Sequence, residues 1–325
     1  MKSNGMTRRD LLATATVTGA FVCERSAFAR ASQPRTPVNF EVPRNACDCH
    51  THIIGDPARF PMWPGRAYTP DRAEPAEMSA LHRALHIDRV VIVTPSVYGT
   101  DNSATLYGIK ARGKSARGIA VIDDKTPQSA LDSMENSGIR GIRINLATTG
   151  QNDPAVGRQR FQDAVDRIKS RAWHVQMFAS LGVISGIKDL VHASPIPVVF
   201  DHFAGADAAL GVQQPGFADV LDVVRSGKAY VKISGAYRAS KQAPDYPDVI
   251  PLAKALIAAN ADRIVWGTDW PHPDTIMPPG RKPTELTPVL QIDDGRLLNQ
   301  LAVWAPDPVT RKKILVDNPA RLYGF

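Results

Sequence analysis

From about residue 45 to residue 316, short β-branched runs alternate with longer helical patterns, eight of each. The pattern predicts strands at 46–52, 89–94, 117–123, 140–145, 173–178, 197–201, 229–234 and 263–268. It predicts helices at 75–87, 102–113, 127–137, 155–170, 181–192, 215–226, 246–259 and about 295–316. Strands separated by helices pair in parallel. Closing eight of them into a single-domain (β/α)8 TIM barrel leaves no sheet edge exposed. An open doubly wound sheet is the alternative, but no glycine-rich phosphate loop follows any of the runs. The alternation is unbroken, so residues 44–325 read as one domain. The proline-rich stretch after the last strand (Pro271, Pro273, Pro278, Pro279, Pro283) reads as a structured loop or lid.

Hydrophobic residues at 43% and charged residues at 22% supply both a core and a solvated surface, which excludes disordered, collagenous and mini-protein scaffolds. No apolar run reaches the roughly 18 residues that cross a bilayer, so no membrane span is expected. The basic residues are scattered and not interleaved with aromatics, so no nucleic-acid partner is expected.

Residues 1–29 read as an export signal of the twin-arginine type. Arg8 and Arg9 precede a mildly apolar stretch from Leu11 to Val22, and Ala27-Phe28-Ala29 offers small residues for cleavage after Ala29. A disordered basic tail is the alternative. Such a signal would take the protein to the periplasm, reached already folded through the export machinery. This segment carries +2 of the formal charge of +7 and leaves a modest +5 on the rest, which suits a small anionic substrate. Residues 30–43, with Pro34, Pro37 and Pro43, read as an extended leader. Cys23 leaves with the signal. Cys47 and Cys49 lie two apart on a strand, where a disulfide would need distorted geometry, so two buried free thiols are expected.

Reactive groups in such a barrel gather at the C-terminal ends of the strands. On strict alternation Asp48, His50 and His52 share one face of the first strand, with Cys47, Cys49 and Thr51 on the other. The two imidazoles then stand about 7 Å apart. They suit a metal, or two donors to one substrate oxygen; the alternative is a pair of core histidines satisfied by backbone. Asp269, where the eighth strand meets its loop, suits a metal ligand, a general base or a simple cap. The sixth strand ends in Asp201-His202 and the second in Thr94-Pro95-Ser96. Arg143 alternates with Ile142 and Ile144 and so points inward. Tyr237-Arg238 falls in a loop after the seventh strand.

The His50-x-His52 opening, the segment Trp266-Gly267-Thr268-Asp269-Trp270-Pro271-His272-Pro273 and the terminal Asn318–Phe325 resemble the amidohydrolase superfamily. Ser96–Asn102, Ala116–Val121 and Gly141–Arg143 resemble its 2-pyrone-4,6-dicarboxylate hydrolase and lactonase group. The resemblance spans about 44–325. It implies hydrolysis or isomerisation of a small carboxylated lactone without a metal. Asp269 would deprotonate water, His50, His52 and His202 would polarise the carbonyl, and Tyr68, Ser96, Arg143 and Arg238 would hold the carboxylate. The chain departs from the pyrone hydrolases at Thr149, Phe178, Ala204 and Gly205, where that group has two arginines and a tyrosine. Fewer cationic clamps favour a monoacid or sugar-acid lactone over a pyrone dicarboxylate.

A binuclear amidohydrolase site would want a bridging lysine or glutamate on the fourth strand and a histidine at the end of the fifth. Arg143, Asn145, Gln176 and Phe178 stand there, and His174 lies near the beginning of the fifth strand. One divalent ion, zinc or manganese, on His50, His52, His202 and Asp269 is the alternative to a site with no cofactor. Arg143 would oppose it by placing a cation in the same mouth. Two further alternatives are a metal-dependent hydrolase or decarboxylase of the superfamily, and a non-catalytic periplasmic protein that binds a small acid.

Overall fold

The computed structural model describes residues 31–276 and 279–325. The expected signal at 1–29, with Cys23, lies outside the described residues. Eight parallel strands follow one another around a single sheet. They are β1 (Cys47–Thr51), β2 (Arg89–Val93), β3 (Ala116–Ala120), β4 (Ile139–Asn145), β5 (His174–Phe178), β6 (Val198–Phe200), β7 (Ala229–Ser234) and β8 (Ile264–Gly267). The sheet closes where Asp269 N–H donates to His50 O and His52 N–H donates to Trp270 O, both at 2.8 Å. At that seam a side chain on Gly267 would place its Cβ 2.7 Å from the His50 backbone nitrogen, so only glycine lets β8 approach β1. The fold is the expected (β/α)8 barrel.

The strands are buried on both faces, which is why β2 reads Arg-Val-Val-Ile-Val rather than alternating polar and apolar. Helices cover the outside. The one at Phe217–Arg225 buries Phe217, Val220, Val223 and Val224 at helical spacing. The one at Pro154–Ile168 starts where the Asp153 carboxylate accepts from Ala155 N–H and Pro154 takes the first turn.

Three predicted helices differ in detail. That at 181–192 breaks at Ile187 into Leu181–Gly186 and Lys188–Ala193. That at 246–259 begins at Ile250, after a 3-10 turn at Pro247–Val249. That at 295–316 is two helices, Asp294–Trp304 and Pro308–Lys312, with a π turn at Lys313–Asp317. Pro306 and Pro308 cannot continue the first of these, and Asp307 caps the second through Val309 and Thr310 N–H. The strand expected at 117–123 ends at Ala120, because the Asn102 side chain takes over the Val121 N–H at 2.8 Å.

The first strand corrects the alternation argument. Asp48 pairs with Val90 and Thr51 with Ile92, so Cys49 and His50 together oppose Val91 in a β-bulge. Cys47 and Cys49 therefore pack inside the barrel with Val91, Ile119, Val199 and Val265, while His50 and His52 turn into the mouth above them. Both thiols are free and buried, and burial pushes that of Cys47 well up. Asp48 does not share the histidines' face. Its carboxylate meets His82 Nε2 at 3.2 Å on the helix Pro75–Ala84. It also accepts from Thr268 N–H (3.0 Å), Thr268 Oγ1 (2.6 Å) and His50 N–H (3.1 Å). One buried carboxylate thus pins both sides of the closing seam.

Residues 31–46 form neither helix nor strand before β1 and lie against the barrel. Trp270 Nε1 donates to Ser32 O at 3.1 Å, and Thr36 Oγ1 donates to Asp293 at 2.6 Å. The proline-rich loop is tied down by a two-residue strand, Leu286–Thr287, paired in parallel with Thr69–Pro70. Among the described residues no helix is long and apolar enough to cross a membrane.

Candidate active site

Asp269, His50, His52 and His202 converge at the C-terminal mouth. Asp269 Oδ1 lies 3.5 Å from His52 Nε2, 3.7 Å from His50 Nε2 and 3.9 Å from His202 Nε2. The rings of His50 and His52 stand edge to face, with centroids 5.0 Å apart. All four residues are buried. His202 and Asp269 each leave their strand in the left-handed region, with φ of 49° and 67°. Such conformations in non-glycine residues carry strain that the surrounding packing must hold. Gly235, at φ 59°, lets β7 turn beneath them: a Cβ there would sit 3.2 Å from both Asp269 Oδ2 and His202 Nδ1.

The second oxygen of Asp269 is fully engaged. Tyr237 donates its hydroxyl at 2.6 Å, and the Arg238 guanidinium donates Nε. Both belong to a short helix, Ala236–Ala239, where a loop was expected. Burial pushes the Asp269 carboxyl up, but the Arg238 charge beside it outweighs that and holds the group well below the usual carboxylate range. It is an ionised base at neutral pH. Burial pushes the imidazoles of His50 and His202 down, the latter to about 4, so both are neutral there.

Beneath the imidazoles lies a charged layer. His50 Nδ1 lies 3.3 Å from Asp201 Oδ1 and 3.4 Å from Lys232 Nζ. Asp201 Oδ2 accepts from Arg143 Nε (3.2 Å) and Gln176 Nε2 (3.0 Å), and Lys232 donates to Gln176 Oε1 at 2.7 Å. Burial opposes ionisation of Asp201, but His50, Lys232 and Arg143 hold it well below its ordinary range. Lys232, Gln176 and Tyr237 carry no site role on sequence reasoning alone. The available signal was a lysine in the otherwise buried run Ala229–Ser234.

Hydrogen bonding sets what each imidazole can do. His52 Nδ1 lies 2.7 Å from Val93 O, a pure acceptor, so neutral His52 presents a bare Nε2 to the mouth. It can accept a proton there but donates only as imidazolium. His202 Nδ1 meets the Ser234 hydroxyl at 3.0 Å, and His50 Nδ1 can accept from Lys232. Those contacts let His202 and His50 carry a proton on Nε2 and donate it toward a ligand.

Tyr68, Ser96, Arg143 and Arg238, the expected carboxylate holders, all line the mouth, as do Asn145 and Thr148. Tyr68 is hydrogen-bonded to Ser96, and burial raises its phenol. Phe178 meets His202 edge-on at 4.9 Å. Thr149 is exposed and off the mouth, where its neighbour Thr148 stands instead. Gly205 lines a neighbouring cavity.

The donor set fits one divalent ion. One ligand atom from each of His50, His202 and Asp269 falls within 4.8 Å of the others. His50 Nε2 and Asp269 Oδ1 are also buried without a hydrogen-bond partner. Among the described residues a second ion has no comparable set. Arg143 and Gln176 occupy the inner faces of β4 and β5, and His174 sits at the start of β5, against Tyr323.

Known proteins share this architecture. A 4-sulfomuconolactone hydrolase of Rhizobium radiobacter is 34% identical over 288 residues, covering 89% of this chain and 93% of its own. A 2-pyrone-4,6-dicarboxylate hydrolase of Comamonas testosteroni is 32% identical over 307 residues, covering 91% and 94%. The crystal structure of a probable 2-pyrone-4,6-dicarboxylic acid hydrolase from Acinetobacter baumannii, with citric acid bound, superposes with a TM-score of 0.70. It has 25% identity and covers 86% of this chain and 100% of its own. The family model described as Amidohydrolase matches residues 47–325, and this chain belongs to that family.

Proposed function

We propose that this enzyme hydrolyses a small carboxylated lactone, with Asp269 as the base that activates water. The observation that carries the reading is the free oxygen of Asp269, ionised and ringed by three imidazole nitrogens at 3.5–3.9 Å. The relatives whose names state a lactone or pyrone substrate support the ring ester as the reacting group.

The chemistry follows from the charges. Water beside Asp269 Oδ1 gives a proton to the carboxylate and its oxygen forms a bond to the lactone carbonyl carbon. The carbonyl oxygen becomes an oxyanion. His202 and His50, donating through Nε2, and the Arg143 guanidinium stabilise it in a dry mouth, where one such donor is commonly worth about 3–4 kcal/mol. The ring C–O bond then breaks, and Asp269 returns its proton to the leaving oxygen, so the product is a hydroxy acid. The bare Nε2 of His52 can share the proton with Asp269. Arg238, Tyr68 and Ser96 hold the substrate carboxylate at the rim. Arg238 also fixes the carboxylate of Asp269 in one orientation.

On this reading the site works without a resident metal, because Lys232, Arg143 and Arg238 already bring three positive charges against the two carboxylates. The donor set favours a second reading, in which His50, His202 and Asp269 hold one zinc or manganese ion. Such an ion would supply Lewis acidity toward the carbonyl and a lowered pKa for water. A screen of carboxylated lactones, with zinc and manganese measured on the same sample, tests both. Ring opening with far less than one metal equivalent supports the first reading. Activity that tracks a stoichiometric metal supports the second.

The paired arginines Arg8 and Arg9 support a periplasmic enzyme exported by a twin-arginine signal. Recovery of a chain beginning at Arg30 from the periplasmic fraction tests this; an uncleaved cytoplasmic chain contradicts it.

A further inference from the structure

A second cavity of about 250 Å3 adjoins the mouth. Phe178, His202 and Arg238 line both spaces, so the two are neighbours across the imidazole that faces the reacting carbonyl. We infer that this cavity receives an uncharged substituent, and that the substrate is a lactone with one carboxylate and one bulky neutral group. The inference rests on the lactonase reading and adds the substrate class to it.

Two observations carry it. The first is the wall of the cavity. Ala147, Gly150, Ala179, Ala206 and Ala239 supply small, uncharged surfaces, and Asn152 and Ser180 add neutral polar groups. Among the described residues the one cation on the wall is Arg238, whose Nε is bound to Asp269 and whose Nη2 donates to Pro273 O at 3.3 Å. A second carboxylate in this space would meet only Arg238, already shared between Asp269 and the carboxylate held at the mouth, whereas an uncharged group can pack against the alanine surfaces.

The second observation is the charge of the mouth. Asp201 and Asp269 stand against Arg143, Lys232 and Arg238, which leaves one positive charge over. One substrate carboxylate neutralises it. A second would leave the buried site net negative beside the oxyanion that forms during attack.

The test uses γ-butyrolactone-γ-carboxylates with hydrogen, phenyl or a second carboxylate on the β-carbon. The enzyme is expected to open the phenyl compound with kcat/KM about tenfold above the unsubstituted one, and the dicarboxylate about tenfold below it. Ala206→Phe, which fills the cavity, should bring the phenyl-to-hydrogen ratio close to one. Ala147→Arg, at the half-buried rim, should raise kcat/KM for the dicarboxylate about tenfold. Calorimetry with the matching cyclopentanone carboxylates, which cannot be hydrolysed, reads the cavity apart from turnover and also covers a variant that fails to fold. If no lactone is opened while the phenyl ketone acid binds more tightly than the diacid, the lactonase reading fails and the cavity assignment stands. Equal or tighter binding of the diacid by the wild-type protein overturns the assignment, as does its equal or faster turnover.

Discussion

His50 Nε2 and Asp269 Oδ1 face each other at 3.7 Å, and neither has a hydrogen-bond partner among the described residues. Buried polar atoms are nearly always paired. Two orphans aimed at one point mark the position of a water, an ion or the reacting group of a ligand.

Asp269→Asn keeps the shape of the base and removes its proton affinity. Turnover should fall by about 1,000-fold, the scale of a positioned general base, while KM changes little. Steady-state kinetics on the substrate found by the lactone screen measures both. A loss confined to KM would make Asp269 a binding group.

Asp48 never touches the mouth, yet it holds Thr268 and His50 in place across the seam. Asp48→Asn replaces one accepting oxygen with a donor and should cost about 2 kcal/mol of stability. It should also lower kcat more than it raises KM, because Asp269 and His50 lose their mutual register. Thermal unfolding and kinetics on the same variant check this. Unchanged kcat would leave Asp48 purely structural.

The barrel was legible because its evidence is local and repeated: eight apolar runs, each near a real strand. The convergence of His50, His52, His202 and Asp269 was legible because all four sit at strand ends. The bulge in β1 was not. Alternation placed Asp48 with the histidines, and nothing in Cys-Asp-Cys-His-Thr-His marks where one extra residue enters; the seam contacts to Thr268 decide it. Lys232 was missed for a related reason. Its partners, His50, Gln176 and Asp201, lie on three other strands or their ends, and only closure of the barrel brings them together.

Lys232→Met removes a positive charge that helps hold the His50 imidazole down. The His50 pKa should therefore rise, and the acid limb of the activity profile should move to higher pH. Breaking the buried pair with Asp201 should also destabilise the fold by about 3 kcal/mol. A pH–rate profile that does not move would separate Lys232 from the reaction.

Burial lowers His202 from an unfolded value of 6.5 to about 4 in the folded protein. Between those values the unfolded chain binds the extra proton, so stability rises with pH through this window and is lost as pH falls. His202 alone should account for about 3 kcal/mol between pH 6.5 and 4. Depression of the Asp269 pKa works in the same direction below the ordinary carboxylate range. Urea titrations across pH 4–7 measure the slope. Equal stability across that range would mean that His202 keeps its unfolded pKa in the native protein.

The most direct measurement is the rate of opening of a carboxylated lactone by wild-type enzyme and Asp269→Asn, each exhaustively chelated and assayed for residual metal. The account predicts that the chelated wild-type enzyme keeps its activity and that the variant is about 1,000-fold slower. A chelated wild-type enzyme as slow as the variant, restored by zinc or manganese, would contradict it.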